Sequence, residues 1–176
     1  LQNCLDEANS KIFRMANTYE ENTGMATTAV IVYAAFGKVF ITNVGDSRVY
    51  LYRGGQLVQL TEDHTYVNTL VKAGILSKEQ AEVDERKNVI TKALGAEPTV
   101  EPDFFQVEIM KDDIFLICTD GLYDEVENPE IIQVLSKNQS MSDVCSELIN
   151  RANMNGGRDN ITIISLKVTE EDIYEQ

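Results

Sequence analysis

The chain has 176 residues, 43% of them apolar and 25% charged, which suffices for one well-buried core and is the make-up of an ordinary globular domain. Its formal net charge of −14 excludes nucleic acid and anionic membrane as partners, because both would be repelled. Cys4, Cys118 and Cys145 are odd in number without CxxC spacing, and no long uncharged apolar run occurs; structural zinc, a membrane span and a signal peptide are not expected, and a reducing, cytoplasmic setting is.

Apolar residues at Leu5, Ala8, Ile12, Met15, Ala16 and Tyr19 recur at helical spacing. They predict an amphipathic helix ending near Asn22 to Gly24. Four strands are then expected, from Thr28 to Phe36, Val39 to Val44, Arg48 to Arg53 and Gln56 to Leu60. Gly54-Gly55 tolerates positive φ and predicts a tight hairpin between the last two. A helix follows over Tyr66 to Ala73, closed by Gly74. Ser77 and Gln80 fit a capping box that opens another helix through Val83. Val89 to Leu94, Phe104 to Ile109 and Ile114 to Cys118 read as strands. Asn128-Pro129 fits an N-cap followed by proline at the first helical position, leading into Glu130 to Leu135. Ser142 is read as the cap of a helix from Asp143 to Ala152. Asn160 to Val168 closes the pattern as a strand, and the acidic tail is expected to fray.

So many strands without intervening helices do not suit a doubly wound parallel sheet. Consecutive hairpins with grouped helices predict an α+β fold, an antiparallel β-sandwich flanked by helices. Ala29 to Tyr33 and Ile161 to Leu166 carry apolar groups on both faces, so the sheets should be covered on both sides.

Two acidic turns carry the chemistry. Thr119-Asp120-Gly121-Leu122-Tyr123-Asp124 follows the apolar run Ile114 to Cys118, and Gly156-Gly157-Arg158-Asp159-Asn160-Ile161-Thr162 leads into the last strand. An aspartate at the mouth of a buried strand is a turn residue or a metal ligand. Two of them, in a chain with one histidine and scattered cysteines, favour a hard-cation site built from oxygen ligands. Ser47 and His64 invite a serine-hydrolase reading, but the G-x-S-x-G turn is missing and Ser47 would sit in a hairpin. His64 is read as structural, hydrogen-bonded near Asp63 or Thr65, and Arg158 as a solvated turn residue.

Further motifs occur in order: Gly24-Met25-Ala26-Thr27-Thr28-Ala29, Val44-Gly45-Asp46-Ser47-Arg48, Leu60-Thr61-Glu62-Asp63-His64-Thr65 and Asn88-Val89-Ile90-Thr91-Lys92-Ala93-Leu94-Gly95. With the two acidic turns this set resembles the metal-dependent protein phosphatase family, the type 2C serine/threonine phosphatases, and its bacterial branch in particular. The resemblance runs from about Ile12 to Val168. It implies a β-sandwich flanked by helices, a Mn2+ or Mg2+ cluster, and hydrolysis of phosphoserine and phosphothreonine by metal-activated water. It also implies that Asp120 and Asp159 are metal ligands, that Asp46 helps bind a further, weaker metal, and that residues 66–88 form a flap beside the site. The implied partners are phosphorylated proteins and a cognate serine/threonine kinase.

The family's arginine for phosphate, its early acidic ligand and its D-G-x-G-G turn do not occur in this chain; Gly-Gly occurs only at Gly54-Gly55 and Gly156-Gly157. Residues 1–176 are therefore expected to be one partial phosphatase domain lacking the front third. Such a chain should bind at most one metal poorly, turn over little by itself, and pair as a homodimer or swapped assembly through its uncovered sheet. The alternative is a non-catalytic pseudophosphatase, a binding module of the same fold.

Overall fold

The apolar repeat forms helix α1 (Gln2–Thr18), and a 3-10 turn at Glu20–Asn22 ends it. The computed structural model describes residues 1–174. Strands β1 (Ala29–Ala35), β2 (Lys38–Val44), β3 (Arg48–Arg53) and β4 (Gln56–Gln59) precede two short helices, α2 (Tyr66–Lys72) and α3 (Lys78–Glu82). Next come β5 (Asp103–Glu108), β6 (Ile114–Cys118) and a single-turn helix, α4 (Asp120–Tyr123). Helices α5 (Asn128–Leu135) and α6 (Met141–Asn155), strand β7 (Ile163–Lys167) and helix α7 (Glu171–Tyr174) complete the order. The strands make two antiparallel sheets, β1-β2-β5 and β4-β3-β6-β7, and the fold is α+β as expected.

The chain divides into two compact units. The first comprises residues 1–31, 42–46 and 62–104. Its core gathers Leu5, Val44 and Leu94, with Ala8, Ile12, Ala29, Ile31 and Val100 packed around them. Asn9 of α1 is buried with both ends of its amide satisfied: Nδ2 donates to the carbonyls of Glu97 and Pro98 (3.1 Å each), and Oδ1 accepts from Gly95 N (2.8 Å). Without those partners its burial would be costly. Gly95 has φ +88, and a Cβ there would meet Ile12 Cγ2 at 2.2 Å, so only glycine lets this segment lie on α1.

The second unit comprises residues 32–41, 47–61 and 105–176. Period-two alternation sorts its sheet. Tyr50, Ile114, Leu116 and Cys118 face one way, onto Ile131, Val134 and Leu135 of α5 and Val144, Leu148 and Ala152 of α6. Val49, Leu51, Phe115 and Ile117 face the other way and are buried. On β7 that same face is open: Ile164, opposite Ile117, is 53% exposed, and Leu166, opposite Phe115, is 45% exposed. Cover on both sides thus holds for β3 and β6 and fails at β7, the edge strand of its sheet.

Several predicted boundaries shift for local reasons. Val89 to Leu94 is no strand; it makes one isolated bridge at each end, Thr65 with Ile90 and Thr27 with Leu94, to different partners, so no ladder propagates. Ser140, not Ser142, caps α6, because its side chain accepts from Asp143 N and the helix starts at Met141. Asn128 lies inside α5, with Glu127 at the cap. A short helix, α7, forms where fraying was expected; the last residues of that tail, Glu175 and Gln176, lie outside the described residues.

The β1–β2 hairpin turns on Phe36 (φ 53) and Gly37 (φ 68), both left-handed, as a two-residue primed turn requires. Phe36 is 84% exposed and gains nothing there. Phe36→Asn is expected to raise stability by about 1 kcal/mol, since asparagine tolerates that region. Thermal melts of the two chains check it.

Candidate metal centre

Antiparallel pairing brings the two acidic turns together. Cys118 of β6 lies opposite Ile163 of β7, so the end of one strand neighbours the start of the other. Thr119 N donates to Thr162 O (3.2 Å), Thr162 N donates to Thr119 Oγ1 (3.1 Å), and Thr119 Oγ1 donates to Asn160 O (3.2 Å). Asp120 opens α4 beside this clasp, and Asp159 directly precedes Asn160.

Each residue after Asp120 fixes α4 in a different way. A Cβ on Gly121 would stand 2.4 Å from Asn160 O, so glycine alone allows the two turns to touch. Leu122 is fully buried in the helix-covered core. The Tyr123 ring lies under the Arg48 guanidinium, 3.4 Å from centroid to Cζ, and Arg48 Nη1 donates to Tyr50 Oη at 2.9 Å. Gly121→Ala is expected to push the turns apart and cost about 1–3 kcal/mol, the usual penalty of overpacking. Chemical denaturation checks it.

Burial, first, and the negative charge of Asp159, second, hold the Asp120 carboxyl above the ordinary carboxylate range; its hydrogen bond from Gly121 N (2.9 Å) acts the other way. The Asp159 carboxylate accepts from Asn160 N at 2.6 Å. Two carboxylates held close against their mutual repulsion are the arrangement that a divalent cation relieves. Among the described residues no group of three or more His, Cys, Asp or Glu side chains gathers as a metal constellation. The donor set thus fits a hard cation in kind and would make up only part of its shell.

Asp46 belongs to the first unit, where it is 5% exposed. The turn before it is tightly built. Gly45 has φ +108, and a Cβ there would meet Thr28 Cγ2 at 2.3 Å. Asn43 Nδ2 donates to Gly45 O (3.2 Å) and Glu62 O (3.0 Å). His64 N donates to Gly45 O, and Gly45 N donates back to His64 Nδ1, both at 3.0 Å. His64 is structural, as expected, but its long-range partners are Gly45 and Asp103, whose Oδ2 lies 3.2 Å from Nε2. Nδ1 is taken up by Gly45 N and Nε2 lies beside Asp103, so the ring holds this turn rather than serving as a base.

Burial outweighs Asp103 and holds the His64 pKa below the ordinary value of 6.5. The neutral ring therefore belongs to the native state. Its contribution to stability is complete above about pH 6.5 and is lost as pH falls below that, because the unfolded imidazole takes a proton that the folded one resists. With one histidine in the chain, denaturation midpoints measured just below pH 6.5 should fall less steeply with pH in His64→Gln.

The neck of segment 66–88 is closed by Tyr66 N to Val89 O (2.8 Å) and Thr91 N to His64 O (2.7 Å). The sequence did not single out Asn43, Asp103 and Glu125: Asn43 reaches the Glu62 carbonyl and Asp103 lies against the His64 ring, both distant in the chain, and nothing local signals that.

The protein phosphatase 2C family pattern matches residues 1–162. The chain belongs to the protein phosphatase 2C family. The serine/threonine phosphatase stp of Listeria monocytogenes (serotype 4b, strain F2365) is 39% identical over 176 residues, all of this chain and 69% of that protein. The solved serine/threonine phosphatase of S. agalactiae has a TM-score of 0.90 at 35% identity, covering 96% of this chain and 69% of its own. A PstP catalytic domain solved in complex with 2 manganese ions has a TM-score of 0.84 at 32% identity, covering 96% of this chain and 70% of its own. Family membership thus rests on nearly the whole chain, while the chain spans 69% of the Listeria protein's length.

Proposed function

We propose that the protein is a Mn2+- or Mg2+-dependent serine/threonine phosphatase that hydrolyses phosphoserine and phosphothreonine in proteins. The observation that carries the reading is the clasp of Thr119 with Asn160 and Thr162, which holds Asp120 and Asp159 together in a family member. Asp120 and Asp159 hold the cation. When bound, the cation supplies the positive charge that activates water and offsets charge on the phosphoryl oxygens. The water oxygen bonds to phosphorus, the ester P–O bond breaks, and a proton ends on the departing serine or threonine oxygen. The chain's own share is to fix two carboxylates in place, through the clasp, Gly121 and the Arg48–Tyr123 stack.

Asp46 as ligand of a further, weaker metal rests on the resemblance alone; Asp46→Asn should then leave the binding event at Asp120 and Asp159 unaltered. Segment 66–88 is the flap that meets the phosphoprotein, and its closed neck supports that role. A serine/threonine kinase acting on the same substrates is the matching partner. Cys4, Cys118 and Cys145 form no disulfide, which suits a cytoplasmic setting; among the described residues no helix is long and apolar enough to cross a membrane. The open face of β7 supports a homodimer or swapped assembly, and a clean monomer by light scattering would refute it.

The test is phosphate release from a phosphothreonine peptide by this chain and, alongside, by the Listeria relative. Two carboxylates hold a divalent ion weakly, so the 176-residue chain should be the slower, with its activity abolished by chelator. Activity blocked by a fluorophosphonate and indifferent to chelator would overturn the reading. Absence of both turnover and Mn2+ binding would favour the binding module.

A further inference from the structure

We propose that Glu125 is a positioning residue that holds Asp159 in place for the cation; this rests on the reading of Asp120 and Asp159 as its ligands. Glu125 lies one residue past the end cap of α4, and its side chain is only 3% exposed although its partner, Arg158, is 75% exposed. A carboxylate withdrawn from water so close to a surface loop needs fixed partners. Arg158 Nε donates to Glu125 Oε1 at 2.6 Å. Oε2 faces the backbone of Gly156, where an added Cβ would stand 2.8 Å away. Asn155 Nδ2 donates to the Glu125 carbonyl at 2.7 Å. Asn155, Gly156 and Arg158 are thus gathered around one residue.

Asn160, on the far side of Asp159, is fixed separately by Thr119 and by the close approach of Gly121. Asp159 is therefore the exposed link between two anchors, and Glu125 is one of them. Glu125 acts on the cation through this loop. Asp120 has support of its own in Gly121, Leu122 and Tyr123.

The experiment is a titration of Mn2+ into the 15N-labelled 176-residue chain, read as line broadening at the amides of Gly121 and Asn160, with a melt of each metal-free variant. In the unaltered chain both amides broaden with a common midpoint. Glu125→Ala is expected to raise the midpoint about tenfold, as loss of an outer support does, and to weaken broadening at Asn160 more than at Gly121. Glu125→Gln keeps an acceptor for Arg158 Nε and should restore most of the affinity. Arg158→Ala should weaken binding less, without adding fully to Glu125→Ala. An unchanged midpoint in folded Glu125→Ala would overturn the proposal, as would equal loss at both amides. Undiminished Mn2+ binding by Asp120→Asn would instead overturn the ligand reading beneath it.

Discussion

Asp120→Asn is expected to weaken Mn2+ binding by this chain on the order of tenfold or more, because a hard cation is held by anionic oxygen and few other ligands share the load. The substitution keeps the size of the side chain and the acceptor that Gly121 N uses. It removes the charge of a carboxyl whose pKa burial, first, and the negative charge of Asp159, second, already raise. The metal-free variant should therefore be no less stable than the parent, while its cation affinity drops. Free Mn2+ counted by electron paramagnetic resonance at fixed protein concentration reads the loss. Asp159→Asn should match it, since each carboxylate alone is a poor ligand for a divalent ion.

The largest effect on stability is expected at the other end of the same sheet. Asp113, just before β6, is 1% exposed and accepts a fork from Arg53 at the end of β3: Nε to Oδ1 at 2.7 Å and Nη2 to Oδ2 at 2.6 Å. Met110 N donates to the same carboxylate at 2.7 Å, and Arg53 Nη2 also donates to Glu108 O at 2.7 Å. Asp113→Ala removes three hydrogen bonds at once and leaves the Met110 amide and most of a guanidinium fork unpaired. The cost is about 2–3 kcal/mol, below the range for a fully buried ion pair because Arg53 is a third exposed. For a domain of this size that lowers the melting temperature by several degrees. Mn2+ affinity at working temperature should be unchanged, because the pair sits at the start of β6 and Asp120 lies beyond its end. A calorimetric melt and a metal titration of the same variant separate the two effects.

Much of this fold is legible locally. Ile114 to Cys118 is a continuous apolar run bounded by charge, and it forms β6 over those residues. Ser77 and Gln80 signal their helix through a capping box that both side chains complete. Gly54 and Gly55 take the positive φ values their hairpin needs. What is not legible depends on partners distant in sequence. Val89 to Leu94 has the composition of a strand, but its ends pair with different segments. Ile164 and Leu166 look like covered positions, yet their exposure is decided by what neighbours β7, which its own residues do not encode. The acidic pair was legible because Asp-Gly and Gly-x-Asp-Asn abut apolar runs. The Glu125 support was not, since a charged residue after a turn reads as solvated until its 3% exposure is seen.

Anomalous diffraction at the manganese edge, from crystals of this chain soaked in Mn2+, decides whether Asp120 and Asp159 hold the cation. Their assignment as ligands predicts a peak within coordination distance, about 2–2.5 Å, of both the Asp120 and Asp159 carboxylates. A peak elsewhere with none at that pair, or none at all under saturating Mn2+, would contradict it.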